Sequence, residues 1–334
     1  MNNTNIRTAH DLAMLRALPL EVKILKTQQR IREWYDHWCG EVYVSFSGGK
    51  DSTVLKHIVD SMYDDVPALF IDTGLEYPEL RRFAKEQKNV VVLRPEMRFD
   101  EVLKTHGYPI ISKEVSQQIH EVRRSSELHH IPPRETRPYN RKFNPESDYC
   151  KKNPSYCMKK WEHLVDSGFK TSHMCCTVMK KKPAKKYEKE TGRKPMIGTL
   201  TEESRLRRTQ WLLHGCNAFE KDRPVSTPLS FWTEQDILRY LKEFEIPYAS
   251  VYGDIVEENG VLKTTGADRT GCVFCAFGEH LQKSQTKYQT LQHTHPRLYD
   301  YCINGGEYVD GVWQPSKDGL GFGKVLDYIG VPYK

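Results

Sequence analysis

The sequence predicts an α/β protein in which a parallel sheet is flanked by helices. Four short apolar segments, at 42–46, 67–72, 89–93 and 195–199, alternate with segments of helical character. Short apolar strands separated by helices are typical of a parallel sheet covered on both faces. A polar loop at 47–52 directly follows the first strand, at the sheet edge where phosphate-binding turns lie.

Helices are predicted both before the first strand and between the strands. Residues from about 8 to 38 carry apolar side chains at helical spacing, and Pro19 is expected to divide this segment in two. Thr233 is the expected amino-terminal cap of the last predicted helix. The remaining predicted helices lie near 51–62, 78–87, 99–105, 178–190, 202–213 and 234–245.

One stretch interrupts the alternation. Residues 125–158 contain five prolines, many charges and few apolar side chains, so they are predicted to be a basic insertion or long loop. The predicted organisation is therefore a helical segment at 1–40, an α/β domain at 41–277 with this insertion, and a carboxy-terminal extension at 278–334.

Composition and charge narrow the class of protein. The 334 residues carry a net charge of +6, which suits an anionic substrate without requiring nucleic acid. The polar beginning of the sequence and the lack of a long apolar run lead us to expect a cytoplasmic protein without a membrane span. Nine cysteines, some in close pairs, indicate metal or redox work in a reducing compartment.

The loop after the first strand has the chemistry of an anion cradle. Gly48 and Gly49 allow close backbone approach, and the helix that follows presents unpaired N–H groups. Ser47, Ser52 and the Lys50 ammonium add direct phosphate donors, and Asp51 completes the loop. It is not a Walker loop, because Val44 stands where that motif requires glycine. The alternative is an ordinary strand-to-helix turn with polar caps.

Two motifs carry a resemblance to a known family. Ser47 to Ser52 is similar to the PP-loop of the adenine nucleotide alpha-hydrolase-like superfamily, and 72–79 resembles the second signature of its phosphoadenosine phosphosulfate (PAPS) reductase family. The resemblance implies that the loop binds nucleotide phosphates and that Asp72 and Thr73 lie near the nucleotide. Asp72 is otherwise interpreted as a structural turn residue.

Four cysteines suggest one metal centre. Cys175 and Cys176 are adjacent, Cys272 and Cys275 form a C-x-x-C pair, and four thiolates complete either a zinc site or an iron–sulfur site. The surrounding segments look like those that hold a [4Fe–4S] cluster in adenylyl-sulfate reductases, so the resemblance favours iron over zinc. The other cysteines are predicted to be buried and free: Cys39, Cys150, Cys157, Cys216 and Cys302.

Candidate substrate contacts come from two further segments. Residues 196–208 are similar to the family's substrate-binding stretch, and guanidinium groups suit sulfate and phosphate. A solvated helical face explains the arginines equally well. Lys113 follows a helix where family members place substrate-facing residues, although a surface lysine is the simpler reading. The predicted anion contacts are therefore Lys113, Glu203, Ser204, Arg205 and Arg208.

The resemblance leaves the reaction open. It implies an enzyme acting on adenylyl sulfate (APS) or PAPS, but sulfonucleotide reductases use a tail cysteine, and Cys302 is the only cysteine here after Cys275. The DndC-like branch, implicated in DNA phosphorothioation, and tRNA-thiolating relatives instead cleave ATP. That chemistry implies Mg²⁺, with Asp51 or Asp72 as ligand, a thiol or sulfur-donor protein, and a nucleic acid on the basic insertion. A solvated loop explains the lysines of the insertion equally well. A third reading is a non-catalytic nucleotide-binding protein with structural zinc.

Overall fold

The computed structural model describes residues 7–334, which divide into two compact units. The first unit contains the chain up to Asp72 together with Glu76–Arg94 and Lys182–Gly271; the second contains Thr73–Leu75, Pro95–Lys181 and Cys272–Lys334. Residues 1–6 of the predicted helical segment lie outside the described residues. The boundaries predicted at 40 and 277 stay predictions.

A six-stranded sheet forms the centre of the first unit. Its strands are arranged in the order β3-β2-β1-β5-β7-β6, and every neighbouring pair is parallel except β6 with β7. This sheet confirms the predicted fold class. The strands are β1 (Val42–Phe46), β2 (Ala68–Ile71), β3 (Val90–Leu93), β5 (Lys194–Ile197), β6 (Asn217–Ala218) and β7 (Val225–Ser226). A separate antiparallel pair comprises β8 (Ile255–Glu258) and β9 (Val261–Thr264).

The helices of the first unit follow the predicted pattern. The amino-terminal segment is helical and is divided at Pro19, as expected from a residue that cannot continue a helix. Thr233 caps the last helix by accepting a hydrogen bond from the Asp236 amide, which confirms that prediction. The helices are α1 (Ala9–Arg16), α2 (Leu20–His37), α3 (Lys50–Asp60), α4 (Pro78–Glu86), α9 (Lys182–Thr191), α10 (Arg205–His214) and α11 (Glu234–Glu243).

Aromatic and aliphatic side chains fix these helices on the sheet. Tyr43 of β1 and Leu69 of β2 pack with Tyr187 of α9 in one buried cluster. On α3, the ring nitrogen Nδ1 of His57 lies 2.8 Å from the Tyr240 hydroxyl of α11. Near its carboxyl end, α3 is therefore fixed to the neighbouring helix α11.

The second unit is mainly helical. Its helices are α5 (Phe99–His106), α6 (Lys113–His129), α7 (Arg137–Lys142), α8 (Asp148–Lys152), α12 (Lys287–Thr294), α13 (Pro296–Ile303) and α14 (Phe322–Ile329). Short strands pair in two small sheets, β4 (Ile110–Ile111) with β10 (Ala276–Phe277) in parallel and β11 (Glu307–Val309) with β12 (Val312–Gln314) in antiparallel fashion. A π-helical turn, Thr177–Lys181, precedes α9.

The stretch predicted as an insertion or long loop is built from short helices. Besides α7 and α8 it contains 3₁₀ turns at Pro133–Glu135 and Pro154–Tyr156. Phe143 is fully buried, and Thr136 caps α7. Helices of five or six residues show too few turns for a periodic pattern, which explains why the sequence indicated a loop.

No helix within residues 7–334 is long and apolar enough to cross a membrane.

Candidate functional site

A cavity of about 280 Å³ lies in the first unit, where β1 passes into α3. The predicted loop residues Ser47, Gly49, Lys50, Asp51 and Ser52 all line it. The first helical residue is Lys50, so the unpaired N–H groups and the positive dipole end of α3 belong to this wall. The structure therefore brings the predicted phosphate loop together around one open space.

Glycine is required at Gly48 by both conformation and space. Its φ is +75°, and a Cβ atom there would lie 2.9 Å from Leu80 Cδ2 and 3.2 Å from the Leu80 carbonyl oxygen. At the opposite wall, a Cβ on Gly198 would lie 2.8 Å from the Asp51 carbonyl oxygen. The loop thus packs closely against α4 and against the end of β5.

The two serines of the loop hold its shape. The Ser47 amide donates to Ser52 Oγ at 3.2 Å, and the two hydroxyl oxygens lie 3.1 Å apart. Ser52 Oγ also donates to the Gly49 carbonyl at 2.9 Å. These bonds order the turn before any ligand arrives, which reduces the entropic cost of binding.

Lys50 is the loop's cation and is nearly buried. Its side chain is 6% exposed, and its ammonium lies 2.9 Å from Glu234 Oε1. The same ammonium lies 5.1 Å from the centre of the Tyr252 ring, and the Tyr252 hydroxyl lies 2.6 Å from Thr270 Oγ1. Glu234, Tyr252 and Thr270 also line the cavity, and the sequence analysis missed all three.

Carboxylates dominate the rest of the cavity wall. Two cations, Lys50 and Arg269, line it alongside the acidic side chains of Asp51, Glu202, Glu203, Glu234 and Asp268. Burial raises the pKa of Asp51 to about 6, with Lys50, Arg269 and Arg207 acting in the opposite direction. Divalent cations such as Mg²⁺ bind through one or two carboxylates together with substrate phosphates. This donor set fits such a cation, and its members Asp51 and Glu234 both line the cavity.

The predicted anion contacts at 203–208, around the start of α10, differ in whether they line the cavity. Glu203 lies in the cavity wall and pairs with Arg207 and, at 3.1 Å, with Arg269. Ser204 caps α10, accepting from the Arg207 amide at 3.2 Å. Arg205 and Arg208 are exposed and do not line the cavity. Arg207 is the half-buried arginine of this helix, and its spacing of four from Glu203 was the available signal.

Asp72 is engaged in an ion cluster at the end of β2. Its buried carboxylate accepts two hydrogen bonds from Arg81, at 2.5 and 2.9 Å, and one ion pair from Lys85 at 2.6 Å. Burial alone would raise the pKa of Asp72, but the hydrogen bonds from Arg81 and Lys85 hold it below its ordinary value. Asp72 therefore anchors α4 to the sheet edge. The predicted role of Asp72 and Thr73 beside the nucleotide stays a prediction.

The four cysteines of the predicted metal centre all belong to the second unit. Cys175 and Cys176 form the first turn before the π-helical segment, and Cys272 and Cys275 enclose a turn in which the Cys275 amide donates to the Cys272 carbonyl at 3.2 Å. π-helical turns are frequent at functional sites. The Val273 amide bonds the Leu75 carbonyl at 2.8 Å, which ties the C-x-x-C turn to the core of this unit.

The thiols lie within electrostatic reach of one another. Burial raises the pKa of Cys175 far above its ordinary value, and Cys176, Cys272 and Cys275 each raise it further. Burial raises the pKa of Cys275 to about 11, against the influence of Lys287. Four converging thiols suit a soft metal centre, which would convert them to thiolates. Within residues 7–334, no group of three or more His, Cys, Asp or Glu side chains is placed so that it could hold a metal ion.

Lys113 lies in the second unit, as the four cysteines do. It is exposed at the start of α6, directly after β4, and β4 pairs with the strand that follows Cys275. Ile111 of β4 has a φ of +61°, a strained value for a β-branched residue, and its carbonyl accepts from the Gly278 amide at 2.9 Å.

The prediction that the remaining cysteines are buried is wrong for two of them. Cys150, Cys216 and Cys302 are buried as expected, but Cys39 is exposed and Cys157 is half-buried. Cys39 lies at the turn after α2, with a positive φ of 49°, and a polar turn of this kind offers no core to cover its side chain.

Comparison with known proteins identifies the family. Residues 41–136 and 134–276 match the family model described as the phosphoadenosine phosphosulfate reductase domain, and these residues make up more than half of the chain. The chain belongs to the phosphoadenosine phosphosulfate reductase family. The resemblance to this family that the sequence motifs indicated is confirmed.

Individual relatives of this PAPS reductase family member match over shorter lengths. An uncharacterized protein of Methanocaldococcus jannaschii is 37% identical over 92 residues, 25% of this chain and 22% of that protein. A phosphoadenosine 5'-phosphosulfate reductase of Xanthomonas oryzae pv. oryzae is 31% identical over 93 residues, 26% of this chain and 39% of that enzyme. The matches therefore span well under half of each relative.

Among solved structures, the phosphoadenylyl-sulfate (PAPS) reductase of Candida auris in its phosphate complex is similar to this family member with 14% identity and a TM-score of 0.39. The match covers 76% of this chain and 97% of that chain.

Proposed function

We propose that this chain is an enzyme of sulfur metabolism that binds an adenine nucleotide by its phosphates in the cavity of the first unit. The observation that carries the proposal is the preformed loop of Ser47, Gly48 and Ser52 at the amino end of α3. Backbone N–H groups at a helix amino terminus, together with Lys50, suit phosphate oxygens. The four cysteines of the second unit would hold a [4Fe–4S] cluster, with zinc as the alternative.

The first candidate substrate is a sulfonucleotide, APS or PAPS. It is supported by the family, whose curated members include the Xanthomonas PAPS reductase. In this reaction a thiolate attacks the sulfate sulfur, the nucleotide leaves with its phosphate, and a second thiol then releases sulfite as a disulfide forms. Cys302 is a poor source of that thiolate, since it is fully buried and burial raises its pKa well above its ordinary value. We therefore propose that a thiol other than Cys302, such as that of a separate thiol protein, makes the attack.

The second candidate substrate is ATP, and the acidic cavity wall favours it. Five carboxylates face two cations there, so a triphosphate would need a divalent cation between it and the wall. When bound, such a cation would neutralise phosphate charge in the transition state. Within the protein, Lys50 would hold a phosphate oxygen and the α3 amides would orient the chain of phosphates. The adenylyl group would first be transferred to an acceptor oxygen, and pyrophosphate would leave. AMP would then leave with that oxygen when sulfur replaces it.

One product assay separates these candidates. The protein is purified without oxygen and incubated with APS, PAPS or ATP plus Mg²⁺, with dithiothreitol as the thiol, and the products are quantified. Sulfite with AMP or its 3'-phosphate supports the first candidate, whereas pyrophosphate from ATP, with a sulfur donor and acceptor added, supports the second. Nucleotide binding without any product would support a non-catalytic binding protein and contradict the enzyme proposal.

A further inference from the structure

Two cysteines outside the proposed metal centre meet in the second unit. Cys150 lies in α8, and Cys157 follows the 3₁₀ turn after it. The Cys157 thiol helps to raise the pKa of Cys150, so the two side chains lie within interaction range of each other. Both are free thiols in this structure. The sequence had given neither residue an informative context.

Hydrogen bonds to one carbonyl group also bring the segments of the two cysteines together. The Lys142 carbonyl accepts from Cys150 Sγ at 3.5 Å and from the Met158 amide, next to Cys157, at 2.8 Å. Two successive turns return the chain to this point, with the Asn153 amide bonded to the Tyr149 carbonyl at 2.9 Å and the Cys157 amide to the Pro154 carbonyl at 3.2 Å. A shared carbonyl therefore fixes the approach of the two segments.

The two thiols differ in access. Cys150 is 3% exposed, whereas Cys157 is half-buried. Burial, followed by the Cys157 thiol, raises the pKa of Cys150, while Ser147 and the Lys142 ammonium act in the opposite direction. A partly exposed thiol beside a buried one is the arrangement of an attacking cysteine and its resolving partner.

We infer that Cys150 and Cys157 form a redox-active dithiol that exchanges with small disulfides. The Cys157 thiolate attacks one sulfur of a small disulfide such as oxidised glutathione, forms a mixed disulfide and releases one thiol. The Cys150 thiolate then attacks the Cys157 sulfur, closes the intramolecular disulfide and releases the second thiol. The pair loses two protons to solvent and two electrons to the oxidant, which is reduced to two thiols.

The sequence offers a direct readout of this bond. Trypsin cleaves after Lys142, Lys151, Lys152 and Lys159, so Cys150 and Cys157 fall on the separate peptides 143–151 and 153–159. The full chain, purified anaerobically, is equilibrated with reduced and oxidised glutathione, acid-quenched, alkylated and digested. Mass spectrometry should find the two peptides joined, two hydrogen masses below their sum, and dithiothreitol should separate them.

Variants assign the roles of the two sulfurs. With Cys150→Ser, a glutathione adduct should accumulate on Cys157, while with Cys157→Ser, Cys150 should remain reduced because glutathione cannot reach it. Cys39→Ser, which removes an exposed thiol elsewhere, should leave the joined peptides unchanged. If Cys150→Ser loses its far-ultraviolet circular dichroism, the wild type and Cys157→Ser still decide the matter. Complete alkylation of both cysteines after oxidation, or a stable glutathione adduct without joined peptides, would overturn the inference. This readout does not depend on nucleotide binding.

Discussion

The ammonium of Lys50 lies 2.9 Å from the carboxylate of Glu234, at the start of α3 and in the wall of the phosphate-loop cavity. The Lys50 side chain is 6% exposed and is held in place, whereas the Glu234 side chain is 47% exposed and can move away. An incoming phosphate would take the ammonium from Glu234, so that residue competes with the ligand.

Glu234→Gln should therefore strengthen the binding of pyrophosphate in the absence of divalent cations. Removing the competing charge should raise the affinity by roughly tenfold, the scale of one charge-assisted hydrogen bond. Isothermal titration calorimetry measures this change. Glu243→Gln, an exposed carboxylate at the other end of α11, is the matched control and should have no effect. Weaker binding by Glu234→Gln would show that Glu234 supports the ligand.

Gly48→Ala should lose both stability and phosphate binding. A left-handed conformation costs a non-glycine residue about 1–2 kcal/mol, and here the added methyl group also meets Leu80. Gly192→Ala is the matched control, because Gly192 has the same φ of +75° with nothing within 4 Å of a Cβ. Thermal unfolding should show a loss in both variants that is larger for Gly48→Ala. Phosphate binding should fall only in Gly48→Ala, and equal binding by the two variants would count against the loop.

The raised pKa of Asp51 predicts that nucleotide affinity changes with pH, in a direction that depends on whether Mg²⁺ is present. Because burial raises its pKa to about 6, Asp51 becomes negatively charged as the pH rises through that value. Without divalent cations, nucleotide affinity should fall across this range, since the new charge repels phosphate. With Mg²⁺ the fall should disappear or reverse, because an ionised carboxylate is a better ligand. Calorimetry between pH 5 and about 7.5 tests this, and Asp51→Asn should remove the difference. A fall in affinity that Mg²⁺ leaves unchanged would exclude Asp51 as a ligand.

The cysteine set predicts a coloured protein. Anaerobically purified chain should be brown and contain iron and sulfide, and Cys175→Ser or Cys272→Ser should each lose most of the iron. Cys302→Ser, a buried cysteine of the same unit, should keep it. Iron analysis and visible absorption measure the difference. A colourless wild type with one zinc per chain would replace the cluster with a zinc site.

Much of the first unit could be predicted from the sequence because its signals are local. The apolar strand segments at 42–46 and 89–93, Pro19 and the Thr233 cap each act through neighbouring residues. The small strands β6 and β7, two residues each, have no pattern of their own and exist only because their neighbours pair with them.

The site was predicted less completely, for reasons of geometry. The loop is contiguous, so its residues could be named together. The wall residues Glu234, Tyr252 and Arg269 come from distant segments that only the fold brings to one cavity. The sequence analysis named Arg205 and Arg208 on α10 but not the half-buried Arg207. Which side of this helix faces inward depends on how the helix packs, and the sequence does not show that. The sequence predicted Asp72 at the end of a strand. It did not predict its ion-pair partners Arg81 and Lys85, which lie on the following helix α4.

Calorimetric titration of the anaerobic full chain with ATP, APS and PAPS, each with and without Mg²⁺, tests the central claim most directly when wild type is compared with Lys50→Ala. We expect at least one nucleotide to bind wild type, inorganic pyrophosphate to compete with it, and Lys50→Ala to weaken it by roughly tenfold to hundredfold. Lys56→Ala, which removes an equally buried lysine of the same helix that pairs with Asp60 and does not line the cavity, should bind like wild type. Equal affinity of Lys50→Ala and Lys56→Ala, or no binding of any of the three nucleotides to wild type, would contradict the account.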